Sequence, residues 1–395
     1  PQREVWLADK LSGEASLSYN ESVLLRLRGP LDAGVLASGL QRLVDSHDSL
    51  RTTFGPDGET LCIGESFELN LDHRDLSGLA DPAREQEIAM LKRAAVETAF
   101  ELERGPLFRA QLLRLQADDH LLILTAHHIV CDGWSWWLMM RELSSFYASG
   151  TGHEAQAVAV PVSFADYALQ QATESGGAVF AADERYWLSR FDGQAPVLDL
   201  PLDRPRPARR TFNSLREDHV LDAALVADIK RMGARRGASL FATLLGGFAT
   251  TLSRLSGQSQ VVIGIPAAGQ SVDGLDTLVG HCVNLLPLRF DIDPSQPFSA
   301  LIGTSQETLL DAIDHQRYTF GTLLKKLRVD RDPSRLPLVS VMFTIDQAID
   351  GDSHGFPGLA TEFATNPRTF ENFELFVNAV QLEGGLQLEC QYNTD

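Results

Sequence analysis

The sequence predicts an α/β protein built as two α/β sandwich lobes with mixed sheets. Three observations carry that expectation. At 395 residues the chain is long enough for two or three compact units, and its 44% hydrophobic content can fill their cores. Runs of strand length intermix with helical patterns in both halves, without strict strand–helix–strand alternation. One run, Leu121-Leu122-Ile123-Leu124, is apolar at consecutive positions, as a strand buried on both faces requires, and then breaks into a polar loop.

The elements follow in order. Gln2 to Leu11 reads as a helix, and its abrupt opening suggests a domain cut from a longer polypeptide. Ser22 to Leu27 alternates as a strand does. From Leu31 to His47, Val35, Leu36, Leu40, Leu43 and Val44 recur at helical spacing. Arg51 to Phe54 enters a strand. Pro82 to Phe100 is a helix of mixed charge with a solvated face. Leu107 to Leu115 is a strand, and the apolar run ending at His127-His128 follows it. Ser135 to Ser149 is a helix rich in aromatic and aliphatic residues, a core stripe, with Ser135 as its expected cap. Glu154 to Gly177 reads as a connection, a helix lies near Tyr186-Trp187-Leu188, and Pro196 to Pro207 is an extended crossing. Arg204, Arg206, Arg209 and Arg210 cluster at its end, read first as a solvated segment paired to acids and second as a phosphate contact.

In the second half, Ser214 to Leu221 is a strand, and Ala223 to Arg235 and Ser239 to Ser256 are helices. Val261 to Pro266 is a buried strand. Leu285 to Phe290 contains Pro287, which assigns it to an edge or a bulge. Ala300 to Ile313 is a helix and Val339 to Ile345 a strand. Phe373 to Leu382 and Leu386 to Tyr392 flank Gly384-Gly385 as a hairpin. The chain stops after Asn393 without a closing element, again like an excised domain.

Composition narrows the function. A net charge of −19 argues against nucleic acid and anionic membrane as partners. No apolar run has the length of a membrane span, and the N-terminus has no signal pattern. Cys62, Cys131, Cys282 and Cys390 are widely separated, which speaks against a zinc cage or disulfide framework and fits a reducing cytoplasm.

Chemistry concentrates at Leu121 to Ser135, LLILTAHHIVCDGWS. A buried strand ending in a polar loop fixes position while opening a side chain to a cleft. Adjacent residues on extended backbone point to opposite faces, so one histidine should face the cleft and the other pack inward. Asp132 can turn back toward the loop, with Gly133 supplying backbone freedom. The bland reading is a pair of structural histidines in a turn. Against it, two His, one Asp and one Gly gather at one strand end. Adjacent histidines are poorly placed to share a metal. A Cys131–His128 nucleophile is open, but Cys131 has no orienting partner in sequence, and a small buried thiol is commoner. The remaining option is a histidine acting as general base, or stabilising an amine that attacks an acyl group. Asp132 then either helps directly or is turned into a salt bridge with an arginine that shapes the loop.

These residues resemble a family. His127-His128-Ile129-Val130-Cys131-Asp132-Gly133 resembles the HHxxxDG signature of condensation domains of nonribosomal peptide synthetases, which are similar in fold to chloramphenicol acetyltransferase. Gln2 to Leu7 resembles the family's opening helix. Ser46 to Phe54 resembles its RHExLRTxF stretch, with Ser46 and Asp48 as departures. Phe164 to Ala168 resembles YxDYA, and Val279 to Asn284 with Arg289 resembles GxFVNT…R, where His281-Cys282 and Leu285 depart. His315 to Tyr318 resembles HQDYPFE with Arg317 in place of Asp, and Arg331 to Leu338 resembles RDxSRNPL. The order is preserved and the resemblance covers nearly the whole chain.

The resemblance implies two chloramphenicol acetyltransferase-like lobes in a V, residues 1–175 carrying the HHxxxDG loop and 176–395 forming the second lobe, with a tunnel between them. It implies amide formation between a donor acyl or peptidyl thioester and an acceptor aminoacyl amine. His128 is the implied catalytic residue. His127, Asp132, Gly133 and Arg289 support the motif, with Asp132 paired to Arg289, and Ser135 and Asn284 line the tunnel. No cofactor or metal is implied as bound. The 4'-phosphopantetheine arms arrive on an upstream donor carrier protein and a downstream acceptor carrier within a larger multidomain synthetase. His127 argues against the heterocyclising branch, which has Asp there. Epimerisation domains share HHxxxDG and a DGxSWR run, from which Trp137 departs. A catalytically silent, partner-recruiting member would carry a broken His motif. Arg210 to Asn213, Gly264 to Gln270 and Gly280 to Pro287 resemble condensation domains that follow polyketide modules.

Overall fold

The computed structural model describes residues 1–174, 176–192, 195–271, 274–329, 332–346, 355–382 and 384–395. Arg331, the first residue of the segment that resembles RDxSRNPL, therefore lies outside the described residues. Among the described residues the strands are β1 (Asn20–Arg28), β2 (Thr52–Phe54), β3 (Leu61–Ile63), β4 (Leu71–Asp75), β5 (Phe108–Gln116), β6 (Asp119–His127), β7 (Ser214–Asp222), β8 (Gln260–Ala268), β9 (Val283–Asp291), β10 (Val341–Asp346), β11 (Ala360–Thr365), β12 (Leu375–Leu382) and β13 (Gly385–Asn393). β2 and β3 pair with each other, and the rest form two mixed sheets, as intermixed strands and helices imply.

The first sheet runs β11-β1-β6-β5-β4, antiparallel except where β4 meets β5. β6 is central and apolar because both its faces are covered. Leu122, Leu124 and Ala126 join Leu40, Leu43 and Leu143 of the helices Ala33–Ser46 and Gly133–Gly150 in one core. Leu121 and Ile123, one residue out of phase, join Leu91 of helix Asp81–Glu97 on the other face. That helix is otherwise largely solvated, as its mixed charge implies. β11 comes from the second half of the chain and pairs with β1 from Val23↔Thr365 to Arg28↔Ala360.

The second sheet runs β7-β13-β12-β10-β8-β9, with β10 parallel to both β12 and β8. Pro287 costs no ladder bond that a central strand would need, because β9 is an edge and pairs with β8 without a break in register. Leu382 pairs with Gly385, so Gly385 already belongs to β13 and is not part of the turn, as the expected Gly384-Gly385 turn had it. Helices Leu240–Ser256 and Phe298–Asp314 bury Leu245, Ala249, Leu252, Ile302 and Leu309 against Val261, Ile263, Leu286, Leu288 and Val341.

Two local readings change. The segment expected to be a plain connection contains helix Phe164–Glu174, whose Phe164 and Tyr167 are buried. Helix Gly133–Gly150 is capped by Asp132, not Ser135: the Asp132 carboxylate accepts the Ser135 backbone N–H. Asp at the cap also suits the positive end of the helix.

Candidate active site

The register of β1 against β6 orients the two histidines and Glu21. Asn20 lies opposite His127 and Glu21 opposite Ala126. Alternation then sends His127 to one face, and sends His128 to the face that Glu21 and Ala126 share.

His127 is fully buried. Its Nδ1 accepts the Ile129 N–H at 3.2 Å, so its proton sits on Nε2, which faces Asp9 Oδ1 at 3.5 Å. Phe100 stands edge-on to the ring and Tyr19 tilts across it at 6.0 Å. Burial holds the imidazole's pKa below its ordinary value, although Asp9 pulls the other way. The ring is thus enclosed and tied to the loop backbone.

His128 is partly exposed, at 21% of its side chain. Its Nδ1 lies 2.7 Å from the Cys131 carbonyl oxygen, which can only accept, so Nδ1 carries the proton. In the neutral ring that leaves the Nε2 lone pair as the free base. Glu21 Oε1 lies 3.5 Å from Nε2, and the ring of His281 meets His128 edge-on at 4.7 Å. His281 is buried, its Nδ1 has no hydrogen-bond partner, and burial together with His128 keeps it well below its ordinary pKa.

Asp132 does not pair with Arg289. Its fully buried carboxylate accepts the Ser135 N–H at 2.9 Å, the Ser135 hydroxyl at 2.7 Å, the Gln270 amide at 2.9 and 3.1 Å, and the Cys282 N–H at 3.0 Å. The physical reason is reach. Cys282 directly precedes β9, and Arg289 lies seven residues further along that strand, about 23 Å away at 3.3 Å per residue. There it donates to the Arg190 carbonyl at 3.2 Å and sits 3.7 Å from Asp291. Burial pushes the Asp132 carboxyl above its ordinary pKa, against the pull of the Gln270, Cys282 and Ser135 hydrogen bonds. The loop is shaped by an acid within a ring of donors from both halves of the chain.

Ser135 and Asn284, the residues expected to line the tunnel, are both buried and hydrogen-bonded to protein groups. Ser135 is wholly buried, and while its hydroxyl proton goes to Asp132, its oxygen accepts the Gly280 N–H across the two halves at 3.0 Å. Gly280 must be glycine at that contact, because a Cβ would collide with the Phe164 ring. Asn284 donates to the Gln316 and Tyr318 carbonyls and accepts the Phe320 N–H, bracing the entry to helix Phe320–Lys326. Gly133 is exposed, its φ lies outside the left-handed region, and a Cβ there would meet no atom within 4 Å. The turn does not need glycine's freedom, and Gly133 borders open space. Cys131 is buried and its thiol is pushed well above its ordinary pKa by burial, which suits a small core residue and not a nucleophile.

Glu21, His281 and Gln270 are the site residues that local sequence does not announce. Glu21 had one available signal, a charge at the start of an apolar strand. His281 appeared only as a departure from a motif. Elsewhere, Arg206 is paired bidentately to Glu374 at 2.8 and 3.0 Å, and Arg204, Arg209 and Arg210 line the same pocket of about 310 Å³. Among the described residues no cluster of His, Cys, Asp and Glu is arranged to hold a metal ion, and no helix is long and apolar enough to cross a membrane.

The family model described as "Condensation domain" matches residues 1–395. Among curated proteins, one component of the linear gramicidin synthase of Brevibacillus parabrevis is 36% identical over 399 residues, covering 100% of this chain and 5% of that protein. Phosphinothricin tripeptide synthetase PhsC of Streptomyces viridochromogenes is 36% identical over 398 residues, covering 100% of this chain and 36% of that protein. The chain thus spans a small part of the relatives it matches. In structure it is similar to the starter condensation domain of rhizomide synthetase RzmA, with a TM-score of 0.85 at 23% identity over 99% of this chain and 87% of that one. It is equally similar to the condensation domain of the Monacolin K polyketide synthase MokA, with a TM-score of 0.85 at 21% identity over 100% of this chain and 91% of that one.

Proposed function

This chain is a member of the condensation-domain family, and from that premise we propose that it joins a donor acyl or peptidyl thioester to the amine of an acceptor aminoacyl thioester. Both substrates arrive on carrier proteins, through 4'-phosphopantetheine arms, within a larger synthetase. Residues 1–175 form the lobe that carries the histidine loop and 176–395 its partner, except that residues 355–366, with β11, belong to the first lobe's sheet and core; the tunnel runs between the two. The donor is of the polyketide or related acyl class, in keeping with the segments around Arg210, Gly264 and Gly280.

The observation that carries this reading is the fixed tautomer of His128. With Nδ1–H committed to the Cys131 carbonyl, Nε2 is the basic nitrogen that the partly exposed His128 leaves uncommitted. The acceptor nitrogen attacks the donor carbonyl, the C–N bond forms and the C–S bond breaks. The proton shed by the amine passes to Nε2 and from there to the departing thiolate, so no external base is consumed. His127 and Asp132 hold the loop in place. Much of the acceleration comes from holding amine and thioester together, which in well-oriented systems is worth roughly 7–11 kcal/mol.

The test supplies this chain with a panel of acyl-loaded donor carriers and aminoacyl-loaded acceptor carriers and identifies products by mass spectrometry. A longer, amide-linked chain on the acceptor with both carriers, and no change with one, is expected. Solvent deuterium taken up at the α-carbon with one aminoacyl carrier, and no transfer with two, establishes an epimerase instead. No change in either experiment marks a partner-recruiting domain.

A further inference from the structure

We propose that Glu21 is a positioning residue for this reaction: it holds the imidazolium that forms when His128 takes the amine proton. The proposal rests on the condensation reading and adds to it a residue that no motif of the loop contains.

Three observations place Glu21 in that role. First, register fixes its face. Glu21 lies directly across from Ala126, two residues before His128, and that diagonal is within reach of a long side chain on the same face. Second, the carboxylate is held from behind. Trp136 Nε1 donates to Glu21 Oε2 at 3.3 Å, which leaves Oε1 directed at His128 Nε2, 3.5 Å away. Third, tautomer makes the contact conditional. The Cys131 carbonyl keeps the proton on Nδ1, so in the neutral ring a carboxylate oxygen faces the Nε2 lone pair, which offers it nothing. Once Nε2 is protonated, the same geometry becomes a charge-assisted donor–acceptor pair. Glu21 thus acts on the charged state more than on the resting one, as a group serving the transition state must.

The surroundings call for such a group. The ring of His281 stands 4.7 Å from His128 and its buried Nδ1 has no partner, so it offers no counter-charge. His127 adjoins on the same strand, and Tyr19 tilts over both rings, at 6.0 and 6.5 Å. Cys131 is kept as the thiol by burial. Further out, Asp9 faces His127, the Pro1 amine acts on His281, Arg210 acts on Tyr19, and Asp346 on β10 feels Glu21 itself. Among these groups, Glu21 is the carboxylate within ion-pair distance of His128.

In the step itself the amine N–H bond breaks, the proton and its positive charge move to Nε2, and Glu21 gains an N–H to accept. When Nε2 returns the proton to the leaving thiolate, Glu21 reverts to its resting contact. It exchanges no proton and forms no bond to substrate.

The experiment is a pH titration of the 395-residue chain carrying isotopically labelled histidine, followed by NMR, for the parent and E21Q, with H128A assigning the His128 resonance. Gln retains the length of Glu and an oxygen for Trp136 but lacks the charge. The expected result is that the His128 ring changes protonation at lower pH in E21Q than in the parent while the remaining histidine resonances hold. An unchanged His128 titration overturns the proposal, and it does so on the free chain, whatever becomes of the condensation reading. With the donor and acceptor carriers that the product assay identifies, kcat is expected to fall about fivefold to tenfold in E21Q. The acid limb of its pH–rate profile moves to lower pH, KM is unchanged, and E21D regains part of kcat. A raised KM at unchanged kcat makes Glu21 a binder of the acceptor and overturns the positioning role. An E21Q loss of the same size in an H128A background does so too.

Discussion

His127 and His128 are neighbours in the chain and opposites in everything else. One is sealed among Phe100, Tyr19 and Asp9; the other is a fifth exposed, with its proton pinned on Nδ1. Both imidazoles have one nitrogen committed to the loop backbone, but in opposite senses. His127 accepts through Nδ1 and so must carry its proton on Nε2, whereas His128 donates through Nδ1 and so exposes a bare Nε2. The difference teaches that a strand's alternation divides the labour at a motif. The inward residue is paired with structure and the outward one is left with an unused lone pair.

The largest test of this contrast is kinetic. His128→Ala is expected to lower amide formation by about 10²–10⁴-fold while the thermal transition stays near that of the parent. If His127→Ala gave that loss in a stably folded protein and His128→Ala did not, the assignment of roles would be reversed. The next effect is on stability. Asp132→Ala strands four donors around a buried void and is expected to cost about 3 kcal/mol or more in denaturant unfolding. Arg289→Ala, which touches none of them, is expected to cost no more than about 1 kcal/mol. Equal losses in the two variants would restore the ion pair that the geometry replaces.

The pH dependence of stability sharpens the comparison further. His127 and His281 are held below their ordinary pKa by burial, so the unfolded chain binds protons that the folded one refuses. Their contribution is complete above about pH 6.5 and is lost as pH falls below that value. The denaturation midpoint is expected to drop on acidification, and His281→Phe to make the slope shallower. A midpoint that is flat from pH 7 to 5 would contradict it. Asp132 works in the opposite sense: with its pKa raised by burial, its contribution is greatest when protonated and declines as pH climbs through the folded value. The smallest effect belongs to Gly133→Ala, where open space receives the methyl group and stability changes by no more than about 0.5 kcal/mol either way. A loss above about 1 kcal/mol on the same curves would show that glycine's freedom is needed there after all.

Much of this was legible in the sequence because it is local. The opposite facing of the two histidines follows from the period of a strand, and the edge position of β9 follows from Pro287. The family resemblance rests on motifs in the right order, and the whole-chain family match agrees with it. The partners of Asp132 were not legible. Gln270 and Cys282 lie 138 and 150 residues away, and one of the bonds is to a backbone N–H, which no side-chain pattern announces. The family resemblance implied Arg289, but an extended strand carries Arg289 far from the contact that its first residues make. Ser135 misled in a related way. A hydroxyl near a helix start reads as a cap or a lining group, whereas here it bridges Asp132 to Gly280. Helix Phe164–Glu174 was obscured by the polar residues around its two buried aromatics, and β11 by its length of six residues.

β11 carries a consequence for anyone who recombines such chains. Its hydrogen bonds complete a sheet whose other strands end before residue 128, and just ahead of it Phe356 enters the same core while Ser144 bonds the Gly355 carbonyl. A chimera joined at a single point near the middle of the chain would give β1 a foreign edge partner. It would also leave the native one facing a sheet that it did not evolve to close. Exchange of the histidine-bearing half between relatives therefore calls for two crossovers, so that residues 355–366 travel with the sheet they complete. A one-junction hybrid is expected to aggregate through the poorly matched edge of β1 rather than report on substrate choice.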